Sequence, residues 1–455
     1  MLTVGLINIL ESGFMTSPNI DELETRLRAL LGDRNVSREQ RMLERASVDG
    51  ARMSPVISEL LPLGHAELVA FPTEAEQVGH VVAAAVELDI PVTPRGKGTG
   101  NYGQGIPSHG GLVLDFSRLR TIVEVGDGVV TAEAGVTFVA LEQAVRESGQ
   151  ELWMYPSTLN STLGGFLSGG SGGTGTIEHG ANHMGFVVAL DVVRADGDPS
   201  LHHVEGDEAQ HYVHNYGTAG FIVRATVRLD PLHDWRGLYA SFDDFATAIS
   251  VIREIGRLEP LPRLVSADTV EVSRALPADP GIIHGRASLR SIIRPEAIPA
   301  AVALTEGAGG RIEEVREGVQ VAAKLSAISY NHPIEWLMKT RPGFYFHVEV
   351  GGDTLVEAID EVHAAVPGGG YLHIEAGNTV PIGMLAGEYR GPEEVYATIA
   401  RLEAMGVGVH NPHQWNVDFE LQRTIEIAQA TDPKGLLNPG KLNADYTGPV
   451  KGAIR

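Results

Sequence analysis

Two stretches crowded with glycine, at 94–105 and 164–180, limit what this chain can fold into more than any other feature. The first begins Pro94-Arg95-Gly96-Lys97-Gly98-Thr99-Gly100-Asn101-Tyr102-Gly103-Gln104. Eight of the 17 residues from Gly164 to Gly180 are glycine. Glycine at this density weakens helices and strands. It lets successive backbone N–H groups turn toward one anion, so the first stretch reads as a phosphate cradle, with Arg95 and Lys97 adding positive charge. A plain glycine-rich turn is the alternative reading of that stretch taken alone. Gly98, Gly100 and Gly103 also match G-x-G-x-x-G, but the Rossmann form of that motif needs a helix opening directly from the loop. Here Gln104–Gly111 contains Pro107 and three glycines, which excludes an immediate helix.

Composition narrows the partners. The formal charge is −23, from 35 Lys and Arg against 58 Asp and Glu. Such a surface repels phosphate backbones, so nucleic acid is not an expected partner. No run reaches the roughly 18 apolar residues of a membrane helix. There is no cysteine, hence no disulfide, thiolate metal site or cysteine-held iron–sulfur cluster in this chain. A reducing, cytoplasmic setting fits. The length of 455 residues suits two or three packed domains. Met15-Thr16-Ser17-Pro18 ahead of a helical pattern looks like a natural start, so residues 1–14 read as an extension before it, and no secretory signal is expected.

Periodicity organises the rest. Leu23, Leu27, Leu30 and Leu31 predict a short amphipathic helix. Thr73 and Glu76 are read as a capping box opening a helix that buries Val78, Val81, Val82 and Ala85. Strands are expected at 90–92, 112–116, 122–125, 129–134, 186–194 and 221–229, with a helix over 138–147. The character changes near Pro231-Leu232-His233. The domains expected are a lead-in over 1–65, a first domain over 66–230, a cap over 231–420 and a returning segment over 421–455. In the cap, helices alternate with strands at 343–350 and 371–375, with a weak hint of internal duplication.

The second glycine-rich region, flanked by Pro156-Ser157, Thr162 and Leu163-Gly164-Gly165 and followed by Gly172, Gly173 and Gly175, decides the reading. It leads into Phe186–Gly197 and then Gly217-Thr218-Ala219-Gly220-Phe221-Ile222-Val223-Arg224. With the opening Phe71–Val78 and the closing Leu437-Asn438-Pro439-Gly440-Lys441, this series resembles the vanillyl-alcohol oxidase and p-cresol methylhydroxylase (PCMH-type) flavoproteins. The resemblance is nearest the glycolate oxidase and D-lactate dehydrogenase branch. It implies an α+β fold, a bipartite FAD-binding domain with an α+β cap over the flavin. It implies that Arg95, Gly96, Lys97, Gly98, Thr99, Gly100 and Asn101 wrap the pyrophosphate, and that Pro156, Ser157, Thr162, Gly164 and Gly165 line it from the other side. Gly172 and Gly175 would approach the flavin, Ile222 would lie near the nucleotide half, and Lys441 is a further cofactor-binding candidate. Relatives with covalent flavin carry a His in the first loop. Lys97, Asn101 and Tyr102 stand here instead, so non-covalent FAD is expected, with a link to a cap His or Tyr left open. The branch's His- and Glu-rich metal motif is altered around Gly377-Asn378, and no metal is assigned.

Flavin oxidation needs a group to take a hydroxyl proton, a task that suits His. Strand alternation puts Tyr345, His347 and Glu349 on one face, and Tyr371, His373 and Glu375 on another. His410 and His413 flank a Pro turn. The catalytic candidates are therefore His373, His410, His413, Tyr345 and His347. A solvated His and Glu face on a half-buried sheet is the plainer reading of each strand. Arg341 is a candidate grip for a carboxylate or a surface residue. Trp336 and Trp415 read as packing, and His179 and His183 as loop hydrogen bonders or flavin neighbours. The expected function is an FAD-dependent oxidase or dehydrogenase taking a hydride from a hydroxyl-bearing carbon of a small molecule, such as a 2-hydroxy acid or alcohol. A phenol or benzylic-alcohol oxidase, and an FAD-carrying subunit inactive without partners, are the alternatives. The electron acceptor is unidentified and a homo-oligomer is left open.

Overall fold

The computed structural model describes residues 18–50, 54–60, 64–410 and 415–443. His413 and the 1–14 extension lie outside them. Three sheets follow one another along the chain. The first is four-stranded, β1 (Val36–Ser37), β2 (Leu68–Ala70), β3 (Val92–Arg95) and β4 (Leu112–Asp115), in the order β1-β2-β4-β3. β4 runs parallel to both β2 and β3. The helix Ala75–Glu87 makes the crossover between β2 and β3, burying Val78, Val81, Val82 and Ala85. Its cap lies one residue later than Thr73–Glu76. The Gln77 side chain, not that of Glu76, accepts from the Thr73 N–H at 2.9 Å and the Glu74 N–H at 3.2 Å. The strand expected at 90–92 begins only at Val92, since Pro91 has no N–H to pair.

The second sheet holds β5 (Ile122–Val125), β6 (Val129–Glu133), β7 (Gln150–Leu152), β8 (Val187–Val193), β9 (His202–Glu205) and β10 (Phe221–Pro231). Its order is β5-β6-β10-β8-β9, with β7 also paired to β10. Its apolar face packs on the helix Phe138–Arg146, capped by the Thr137 hydroxyl. The chain's last described segment returns to the first sheet. Val92 donates to Leu436 O at 2.8 Å, and Asn438 N donates back to Val92 O at 2.7 Å.

The third sheet comprises β11 (Arg236–Phe242), β12 (Leu264–Asp268), β13 (Ala287–Ile293), β14 (Arg311–Arg316), β15 (Tyr345–Gly351), β16 (Tyr371–Glu375), β17 (Ile382–Glu388) and β18 (Gly408–His410). The order β14-β11-β13-β12-β16-β17-β15-β18 is a four-strand pattern followed by its mirror, joined where β12 pairs with β16. The hint of duplication thus has a topological counterpart. One face is apolar, with Leu238, Ala240, Val265, Leu289, Val348, Leu372, Ile374 and Leu385 packed on helices such as Pro392–Ala404. Burying each of these Val, Leu and Ile side chains contributes roughly 1.5–3 kcal/mol. The opposite face is polar and also buried: His347 is 4% exposed and His373 0%. The solvated-face reading of these strands therefore fails, because other parts of the chain cover this side too.

Candidate functional site

The glycine-rich stretches meet across one cleft of about 900 Å³, near the upper end of the usual range for ligand pockets. Its walls include Arg95 through Tyr102, Pro156, Ser157, Thr162, Gly164, Gly165, Gly172 and Ile222. No helix follows the first loop among the described residues up to Leu112, as the Rossmann argument requires. Gly98 sits at φ +65°. A Cβ on Gly96 would lie 2.2 Å from the Thr162 hydroxyl, so the two stretches touch only because that position is bare. Arg95 is buried beneath the loop, where desolvation lowers its pKa and Asp115 and Asp49 oppose the shift. Backbone amides over a buried guanidinium fit a pyrophosphate.

Two residues assigned to this wall stand elsewhere. Gly175, at φ +108°, lets the chain pass Trp153, whose carbonyl would be 2.0 Å from an added Cβ, and it does not line the cleft. Lys441 is fully buried with its Nζ on Ser108 Oγ at 2.8 Å, and burial pulls its pKa down to about 8. Gly164 lines the cleft, but a Cβ there would first meet Ala134 Cβ at 2.6 Å, so it also serves helix-to-strand packing.

The polar face of the third sheet supplies the other wall. Cross-strand register places Ser288, Asp268, His373, Met384, Glu349 and His410 in one row over β13, β12, β16, β17, β15 and β18. His373 lies between two carboxylates, Nδ1 at 2.7 Å from Asp268 Oδ1 and Nε2 at 2.8 Å from Glu375 Oε1. Burial alone would lower its pKa, but Asp268 and Glu375 outweigh that and lift it to about 9. Burial would raise Asp268, yet Arg290, ion-paired with it, and His373 bring it to about 2. Glu375 also accepts from the Tyr330 N–H at 3.0 Å. His373, Glu375 and Tyr330 line the cleft. Asp268, Arg290 and Tyr330 escaped the sequence reading, since only pairing between distant strands brings them to His373.

A second cluster flanks the first. Tyr102, in the first loop, donates its hydroxyl proton to Glu349 at 2.9 Å, and the other Glu349 oxygen faces His410 Nδ1 at 2.9 Å. His410 Nε2 is bonded to Asp418. Glu349 lines the cleft, whereas His410 stands behind it. His347 is also off the wall, with burial lowering its pKa to about 4. Tyr345 packs edge-on against Phe344 and Tyr371 in an apolar cluster and does not reach the cleft. Arg341 is exposed with its guanidinium over the Phe344 ring, away from the cleft. His179 stacks on Trp153 and bonds Asp230 at 2.6 Å, while His183 lines the cleft beside Phe419. His332 lines the cleft with its Nε2 on Thr158 Oγ1 at 2.9 Å, and was missed because nothing near it in sequence marks it.

Residues 66–200 match the FAD binding domain family. These residues form an FAD-binding domain. It is 30% identical over 200 residues to the glycolate oxidase subunit GlcD of Bacillus subtilis, covering 41% of this chain and 42% of that one. It is 29% identical over 199 residues to D-lactate dehydrogenase of Archaeoglobus fulgidus, covering 42% and 45%. An uncharacterized FAD-linked oxidoreductase of Mycobacterium tuberculosis is 29% identical over 193 residues, covering 40% and 42%. The chain thus spans less than half the length of these curated relatives. In fold it is similar to alkyldihydroxyacetonephosphate synthase, with a TM-score of 0.72 and 16% identity over 92% of this chain and 85% of that one. No described helix of this flavoprotein is long and apolar enough to cross a membrane.

Two expectations concern the FAD itself. Acid precipitation should release it into the supernatant, since the first loop carries Lys97, Asn101 and Tyr102 and no His. Flavin colour left in the pellet would show a covalent link. Gly96→Val should lower the flavin-to-protein ratio of folded protein by about tenfold or more, equal to 1.4 kcal/mol or above. The branched side chain must push Thr162 away. Normal occupancy, with a native circular dichroism spectrum, would mean that the two loops do not hold the cofactor.

Proposed function

We propose that this flavoprotein is an FAD-dependent oxidoreductase taking a hydride from a hydroxyl-bearing carbon of a small organic molecule, such as a 2-hydroxy acid or an alcohol. The observation that carries this reading is the buried series Arg290–Asp268–His373–Glu375, whose last two members stand on the cleft wall. The names of the D-lactate dehydrogenase and glycolate oxidase relatives support the reaction class. When bound, FAD supplies the two-electron acceptor.

The chain's own residues position the substrate and handle its proton. Both ring nitrogens of His373 face carboxylates and its pKa is about 9, so the ring is cationic near neutral pH. It is therefore not a free base. Glu375 meets the substrate hydroxyl, and the proton passes to the His373–Glu375 pair. Asp268 fixes the ring orientation, and Arg290 balances the charge behind it. Anaerobic mixing of the FAD-loaded protein with 2-hydroxy acids, alcohols and phenols tests the reading. Bleaching of the flavin by an acid or an alcohol is expected. No bleaching by any of them, with normal reduction by dithionite, would favour a carrier subunit, and bleaching by phenols alone would favour a phenol oxidase.

A further inference from the structure

The charge on the cleft wall separates the two substrate classes left open above. Among the described residues lining the cleft, the only Lys and Arg are Arg95 and Lys97, both on the first glycine-rich loop. The wall formed by the third sheet and the segment before β15 presents three carboxylates, Glu335, Glu349 and Glu375. Each already holds a donor from the chain: Asn101 Nδ2 on Glu335 at 2.8 Å, the Tyr102 hydroxyl on Glu349, and His373 on Glu375. The cationic ring of His373 lies between Asp268 and Glu375, so its charge is matched before any substrate arrives. His332 spends its Nδ1 on Ala327 O at 2.8 Å and its Nε2 on Thr158. The described residues offer one trio of His, Asp and Glu close enough to hold a metal ion that could reverse the sign, Glu178, His179 and Asp230, and it does not line the cleft.

An α-hydroxy carboxylate would set its anion against this acidic wall, where the described residues offer no guanidinium or ammonium to meet it. A hydroxyl group instead donates to a carboxylate oxygen, a charge-assisted bond that needs no counter-ion. We infer that the substrate of this cleft is an uncharged polyhydroxylated alcohol, held by its hydroxyl groups on Glu335, Glu349 and Glu375. The inference rests on the oxidoreductase reading for its chemistry, but its charge rule is tested by binding alone.

The experiment is a difference-spectrum titration of the oxidised FAD protein under anaerobic conditions. The probes are a panel of three- to six-carbon polyols, D-lactate, oxalate and ethanolamine. The polyol that binds best should do so at least about tenfold more tightly than D-lactate or oxalate, a gap of 1.4 kcal/mol. Glu335→Gln removes one negative charge from the wall and should narrow that gap several-fold. D-lactate or oxalate binding as tightly as every polyol would overturn the inference, as would no response to any polyol. Tighter binding of ethanolamine would replace an uncharged ligand by a cationic one and overturn it too. Flavin reduction in the same cuvettes separates the two claims. Reduction by D-lactate with no response to polyols keeps the oxidoreductase reading and rejects this one. Polyol binding without reduction by any probe does the reverse.

Discussion

Glu375→Gln is expected to slow flavin reduction by substrate about 10²–10⁴-fold, roughly 3–5 kcal/mol of barrier, while FAD stays bound. The amide keeps the size of the carboxylate but cannot take a proton. FAD should remain because the glycine-rich stretches that line its part of the cleft belong to other elements. His373→Gln tests the same pair from behind, and its distinguishing readout is pH. The folded pKa of His373 is raised to about 9, above an unfolded value near 6.5. Its contribution to stability is therefore complete below about 6.5 and lost as pH rises through about 9. Wild type should lose stability across that window and the Gln variant should not. Asp268, held down at about 2, works in the opposite direction, and its contribution is lost as pH falls from about 4 toward 2. Reduction within a few-fold of wild type in both variants would move the proton acceptor to Glu349 and His410.

The largest effect on stability is expected at Arg263. Its guanidinium is 2.5 Å from Glu151, and the side chains are 3% and 2% exposed. Glu151, on β7, also accepts from Trp235 Nε1 at 2.9 Å, and His233 lies 3.0 Å from it. Arg263 bonds the Leu152 carbonyl and lies over the rings of Tyr155 and Trp235. It directly precedes β12, so the cluster joins the second sheet to the third. Arg263→Met leaves the buried Glu151 with only the longer Arg146 contact, at 3.5 Å, and should cost about 3–5 kcal/mol. Adding Glu151→Leu should return part of that loss, since the stranded charge goes too. Urea unfolding followed by tryptophan fluorescence measures both. A loss under about 1 kcal/mol in the single variant would mean that water or relaxation replaces the ion pair.

Much of the fold was legible because its signals are local. The helix Phe138–Arg146, the hairpin β5–β6 and the two glycine-rich stretches are each defined by neighbours in sequence. Alternation also placed His373 and Glu375 on one face correctly. It could not tell that this face is buried, since the cover comes from elements far away in the chain. The partners of His373 were illegible for the same reason: Asp268 lies 105 positions upstream and becomes a neighbour only through β12–β16 pairing. Lys441 and Gly175 show the converse, where a motif gave the neighbourhood but the direction of one side chain or the tightness of one backbone contact took the residue off the wall.

The mirrored strand order of the third sheet bears on how such a site can change over time. Ala267 pairs with Ile374 at the join, and one position further along each strand stand Asp268 and Glu375. The two acids occupy matching places in the two halves and grip the same imidazole from either side. Neither half owns the proton-handling group, so the halves are not exchangeable modules. A chimaera taking one half from a relative would inherit one jaw of the clamp, and new chemistry at His373 would have to arise through paired changes on both sides of the seam.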